Sequence, residues 1–137
     1  MTLRSNPGLA ALAAEMETHG ATRDAPTRSV MALLGDRWST LIMLVLAETT
    51  LRHSELKATL EKLSSEQAIS QKILTEKLRR LERDGFVARI AGNGPTPMVN
   101  YELTDLGRGF HKQIRRLIGW INDNAETILS SRMEADA

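Results

Sequence analysis

The sequence predicts a mainly α fold with one small β-hairpin, and three observations lead there. Apolar residues recur at helical spacing over most of the chain. The period shifts toward two around residues 86–90 and again at 99–103. Between these stretches lies Ala91-Gly92-Asn93-Gly94-Pro95-Thr96-Pro97-Met98, whose glycines and prolines mark a hairpin tip.

The elements follow in order. Residues 1–6 read as a loose tail. Pro7 opens a short helix with Leu9, Leu12, Ala13 and Met16 on one stripe, ended by Gly20. After a linker, Pro26 opens a second helix with Val30, Leu33 and Leu34, and Gly35 is a natural stop. Asp36 is a good N-cap for a helix over 37–48. That helix is apolar almost all round (Trp38, Leu41, Ile42, Met43, Leu44, Val45, Leu46), so it should be central and buried. An extended piece at 51–53 precedes a helix capped by Ser54 and carrying Leu56, Leu60 and Leu63. Residues 64–68 are polar and read as a turn. Ser70 caps the next helix, which runs to about Asp84 and stops at Gly85. Past the hairpin, Thr104 caps one long final helix, about 25 residues by its stripe of Leu106, Phe110, Ile114, Leu117, Ile118, Ile121 and Ile128. Helices, a helix-turn-helix, a two-stranded wing and a last helix make a winged helix-turn-helix with N- and C-terminal dimerisation helices. We find no internal repeat. The expected division is 1–25 as tail and contact helix, 26–104 as the winged domain, and 105–137 as the dimerisation helix and tail.

Composition narrows the function classes. The 137 residues suit one domain, and 42% hydrophobic content is enough for a core. Aromatics are only 4%, so aliphatic side chains must do most of the packing. A net charge of +1 names no partner, and local clustering has to decide. With no cysteine, disulfides, thiolate metal sites and cysteine switches are excluded. His19, His53 and His111 are widely spaced and make no metal-ligand pattern. No catalytic arrangement and no phosphate-cradling glycine loop can be found, so neither an enzyme nor a cofactor is expected. The apolar run 41–47 is far shorter than the ~20 residues that span a bilayer. No signal-peptide pattern opens the chain, so a cytoplasmic protein without membrane contact is expected.

The helix from Ser70 carries the chemistry. On a wheel of about 100° per residue, Leu74, Leu78 and Leu81 share one side, with Ile73 at its margin. Lys72, Thr75, Arg79 and Arg83 share the other, flanked by Gln71 and Glu76. Arg and Lys meet guanine edges, Gln pairs with adenine, and Thr touches a thymine methyl or a phosphate. The helix start at Ser70 favours phosphate as well. Most charged helical faces are only solvated, so the helix alone does not decide. A hairpin with Arg89 at its base and Asn93 and Thr96 at its tip is what a minor-groove or phosphate reader looks like, although an ordinary surface hairpin has the same composition. His53 is placed either to touch a phosphate or simply to be solvated. The candidate partner is therefore double-stranded DNA.

Two further sets follow from the apolar pattern. Leu9, Leu12 and Met16, with Phe110, Ile114, Leu117, Ile121 and Ile128, form stripes longer than one small domain needs, so a homodimer is expected. Trp38 reads first as core and second as the wall of a pocket for a small-molecule effector, between its helix and the terminal helices. Trp120 reads as subunit contact or core.

Four motifs carry a resemblance. They are Ala32-Leu33-Leu34-Gly35-Asp36-Arg37-Trp38, His53-Ser54-Glu55-Leu56, the run from Ile69 through Gln71-Lys72-Ile73-Leu74 and Leu78-Arg79-Arg80-Leu81 to Gly85-Phe86-Val87, and Tyr101-Glu102-Leu103-Thr104-Asp105-Leu106-Gly107. Together they resemble the HxlR-type winged helix-turn-helix regulators over roughly residues 26–120. The resemblance implies a homodimer on operator DNA, with the helix from Ser70 in the major groove and the hairpin as wing. Two departures stand out. Many members have a cysteine before the proline corresponding to Pro26, where this chain has Ala25. The stretch between Ser54 and Ser70 is also longer than the family pattern. The competing readings are a MarR-type ligand-responsive repressor and a winged-helix adaptor that binds protein and not DNA.

Overall fold

Proline opens both N-terminal helices, as its fixed φ and missing N–H allow at a first turn. The computed structural model describes residues 5–20, 22–64, 67–92, 94–95 and 98–137. Helix α1 spans Pro7–Glu15, and the Asn6 side chain accepts the Leu9 N–H at 3.0 Å as its cap. It runs into a π-helical turn, Met16–Gly20, against which helix α2 (Pro26–Leu34) packs. These elements belong to one compact unit, Met1–Arg37, and Trp38–Ala137 forms a second.

In the second unit, α3 (Arg37–Glu48) buries Ile42, Met43, Val45 and Leu46, while Trp38, Leu41 and Leu44 stay half-buried. Helix α4 (His53–Ser64) contributes Leu56 and Leu60 to the core, and α5 (Gln71–Arg83) contributes Leu74, Leu78 and Leu81. Ile69, Phe86, Val87, Leu103 and Ile114 add to it. Each such side chain is worth ~1.5–3 kcal/mol of burial, so spacing on α4 and α5 alone orients both helices. The predicted start of α4 needs a correction. The helix begins at His53, Ser54 lies inside its first turn, and the Glu55 carboxylate accepts the Arg52 N–H at 3.2 Å.

The wing is larger than a hairpin. Strands β2 (Val87–Ala91) and β3 (Val99–Leu103) pair antiparallel, and β1 (Leu51–Arg52) adds to the free edge of β3 in the order β1-β3-β2. Leu51 faces Tyr101 and Arg52 faces Asn100. A lone hairpin is marginal in water, and the third strand with the helices beneath supplies what it lacks.

The single long terminal helix is also corrected. Helix α6 spans Asp105–Asp123 and α7 spans Ala125–Asp136, broken at Asn124 with φ −108° and ψ 7°. Asn124 Nδ2 donates to the Trp120 carbonyl at 2.8 Å, a local bond that competes with the helical ladder. No single helix among the described residues is long and apolar enough to cross a membrane.

Candidate nucleic-acid interface

Local chemistry sets both ends of α5. The Ser70 hydroxyl accepts the Ile73 N–H at 3.1 Å. At the other end Gly85 takes φ +86°, a left-handed conformation costly for any side chain with a Cβ. This lets Phe86 N–H reach the Leu81 carbonyl at 2.9 Å and Gly85 N–H reach Glu82 at 3.0 Å, a Schellman closure that turns the chain into β2. Between the ends, the leucines face inward, and Gln71, Lys72, Glu76, Arg79 and Arg83 are exposed. Thr75 is half-buried, its Oγ1 hydrogen-bonded to His53 Nε2 at 3.1 Å. That bond ties the first turn of α4 to the middle of α5.

The β2–β3 register decides what the wing presents. Val87 pairs with Leu103, Arg89 with Tyr101, and Ala91 with Val99. Directly paired residues share a face, and that face repeats every second residue. The inner face of the wing is thus apolar and buried at Val87 and Leu103, then polar at Arg89 and Tyr101 one step farther out. There it borders a cleft of about 180 Å³ whose other wall is Thr75, Leu78, Arg79 and Glu82 of α5. Arg89 lies at mid-strand, not at the base of the hairpin. Tyr101 also borders a second cleft of about 310 Å³, with Arg52, His53, Ser54, Met98 and Val99. Arg52 Nη1 there lies 2.9 Å from Met98 Sδ. The tip closes through Gly92 N–H to the Met98 carbonyl at 2.7 Å. Asn93 and Thr96 lie outside the described residues.

The chain joining α4 to α5 is anchored by one carboxylate. Glu61 accepts from Lys57 Nζ at 3.1 Å and from the Ile69 N–H at 3.0 Å. The hydrogen bond from Lys57, and then that from Ile69, holds the Glu61 carboxyl below its ordinary value. The long stretch after Ser54 is thus accommodated by a helix extended to Ser64, whose Oγ donates to the Gln67 carbonyl at 2.9 Å.

The structure therefore brings Lys72, Arg79, Arg83, Thr75, His53 and Arg89 to one region, with Ser70 and Gln71 at the α5 start. The residues that sequence reasoning passes over are Tyr101, Arg52 and Glu82. Only the strand register places Tyr101 between the two clefts, and pairing across a hairpin or to a distant strand is invisible to periodicity. Among the described residues no group of three metal-ligating side chains comes together.

The apolar stripes divide. Phe110 stacks on Phe86 with ring centroids 4.6 Å apart, and Ile114 is buried within this chain's own core. Leu106, Leu117, Trp120 and Ile121 are 60%, 44%, 61% and 42% exposed and share one face of α6, which leaves an uncovered apolar stripe. Leu12 and Met16 are exposed on α1 and its π-turn, whereas Leu9 and Ile128 are half-buried. Trp38 is half-buried, and an apolar groove along α3 is lined by Leu41, Leu44 and Val45, with Leu63 of α4.

Comparison with known proteins places this architecture. The family model of HxlR-like helix-turn-helix proteins matches residues 33–128. The HTH-type transcriptional regulator YtfH of Escherichia coli (strain K12) is 36% identical over 112 residues, which cover 82% of this chain and 84% of that protein. The solved transcriptional regulator YtfH of Salmonella typhimurium superposes with TM-score 0.63 at 31% identity, over 82% of this chain and 95% of that one. The reduced form of the transcriptional regulator YodB of Bacillus subtilis superposes with TM-score 0.61 at 32% identity, over 71% and 90%. With its helix-turn-helix, its wing and these relatives, the chain belongs to the HxlR-like helix-turn-helix family of winged-helix transcriptional regulators.

Proposed function

We propose that the chain acts as a homodimer on a pseudo-palindromic operator, with α5 in the major groove and the wing on the adjacent backbone or minor groove. One observation carries this reading. The exposed cationic face of α5 and Arg89 of the wing meet across one cleft, so helix and wing form a continuous surface for a duplex. Lys72 and Arg79 reach base edges or phosphates, while Arg83 and Arg89 add charge along the same path. If Lys72, Arg79, Arg83 and Arg89 each neutralise one phosphate, the slope of log K against log salt is about −0.9 per contact, between −3 and −4 for each protomer. The uncovered face of α6 at Leu106, Leu117, Trp120 and Ile121 supplies the two-fold contact. That axis sets the two copies of α5 about one DNA turn, ~34 Å, apart.

The test is a gel shift on DNA upstream of the chain's own gene, over a salt series and with footprinting. The expected result is a paired footprint whose affinity falls with salt. Lys72→Ala and Arg79→Ala should each weaken it by about 1–3 kcal/mol if they read bases. Unchanged affinity for both variants overturns the groove assignment. No salt-dependent shift from the unmodified protein favours the adaptor reading.

A further inference from the structure

Glu82 stands in the cleft between α5 and the wing, where a DNA-facing surface has no evident use for a carboxylate. Its Oε2 is buried and has no hydrogen-bond donor among the described residues. The ion pairs Arg52–Glu55 and Lys57–Glu61 do not include it. A buried acceptor that lacks a donor is unfavourable, so a donor able to reach it gains a hydrogen bond at little further desolvation cost. Two cations line the same cleft, Arg79 and Arg89. Arg79 is one turn before Glu82 on α5, and a basic residue ahead of an acidic one is the weaker order for a helical pair. Arg89 comes from across the cleft on β2, beside Tyr101, and is exposed.

We propose that Glu82 is a positioning residue that takes the Arg89 guanidinium on Oε2 when DNA covers the cleft. This rests on the DNA-binding reading above and adds a coupling between helix and wing. A guanidinium has five N–H donors in a planar fork, so one arginine serves a carboxylate and a phosphate together. Glu82 binds no nucleotide itself. It holds Arg89 against α5, which aims the remaining donors at the backbone and fixes the wing relative to the reading helix.

The sign of the test separates this from simple charge. Electrostatics alone demands that removing a carboxylate from a DNA-facing surface tightens binding. Positioning demands the reverse. Operator affinity is measured for the full chain, Glu82→Gln, Arg89→Ala and the double variant, with Glu82→Ala as a second truncation and a melting curve for each. The expected result is an about ten-fold weakening by Glu82→Gln, the size of one charge-assisted hydrogen bond, with no weakening in the Arg89→Ala background. Arg89→Lys, which lacks the fork, should remove the coupling as Arg89→Ala does. Tighter binding by Glu82→Gln, or the same effect in both backgrounds, overturns the proposal and leaves the DNA reading standing. Absence of any salt-sensitive binding by the unmodified chain overturns both.

Discussion

Replacing Gly107 by alanine should destabilise the protein, although alanine is the better helix former. Gly107 sits in the first turn of α6, where its N–H is accepted by the Thr104 hydroxyl at 3.0 Å. A Cβ built on it would lie 2.0 Å from the Phe86 carbonyl oxygen and 2.9 Å from the carbonyl carbon, both backbone atoms. Relief needs a shift of more than an ångström, which the surroundings resist. Phe86 O already accepts the Thr104 N–H at 3.1 Å, and Thr104 Oγ1 donates to the Gly85 carbonyl. Displacing α6 also disturbs the Phe86–Phe110 stack. Overpacking of this kind costs about 1–3 kcal/mol, and a weakened cap adds about 1. A total near 3 kcal/mol corresponds to a Tm lower by about 10 °C for a domain of this size. Gly109 on the same helix provides the control, because nothing lies within 4 Å of its Cβ position. Gly109→Ala should gain about 0.5–1 kcal/mol from helix propensity. Thermal melting by circular dichroism compares the two. If Gly107→Ala melts at or above the unmodified protein, the close approach of α6 to the Phe86 turn is wrong.

Three other outcomes are expected. Leu117→Glu with Ile121→Glu should turn the proposed dimer into monomers or aggregates and weaken operator binding; light scattering at low micromolar concentration decides, and an unmodified protein that is already monomeric refutes the interface. Because folding lowers the Glu61 carboxyl below 4.5, its contribution is present above that value and lost as pH falls through the lower folded one. The melting temperature of Glu61→Gln should therefore approach that of the unmodified protein as pH drops below 4.5, and a gap independent of pH contradicts the assignment. Diamide should leave DNA binding unchanged, since the chain has no cysteine, and a loss reversed by reductant would refute this.

Sequence reveals whatever neighbours in the chain decide. Ser70, the leucines at 74, 78 and 81, and Gly85 each act within one or two helical turns, so α5 and its polar face are legible from the residues alone. Thr104 is legible as a cap for the same reason. The features that escape share a cause as well. The extended piece at 51–53 is legible, but that Leu51–Arg52 pairs with Tyr101 and Asn100 as a third strand is not, because two residues carry no period and the partner lies far along the chain. The break at Asn124 is hidden because the apolar stripe continues across it to Ile128, while a single side-chain bond to Trp120 ends α6. The final stripe reads as one surface, yet its first half is covered, with Phe110 stacked on Phe86 and Ile114 buried, while Leu117 and Ile121 on the same face farther along are exposed.

The same distinction bears on how the site works. A helical wheel finds Lys72, Arg79 and Arg83, because a helix sorts its own side chains. It says nothing of which wing residue meets them. That depends on register: a slip of one residue between β2 and β3 would turn Arg89 to the other face of the wing and bring a neighbour to the cleft. The register is held by the buried Val87–Leu103 pair at one end and the Gly92–Met98 closure at the other. Both ends are built from apolar and glycine residues, none of which lines the cleft between α5 and the wing. The position of the wing's arginine beside α5 is therefore set by packing in the core and geometry at the tip, and substitutions at Val87 or Gly92 should disturb the cleft without changing its charge.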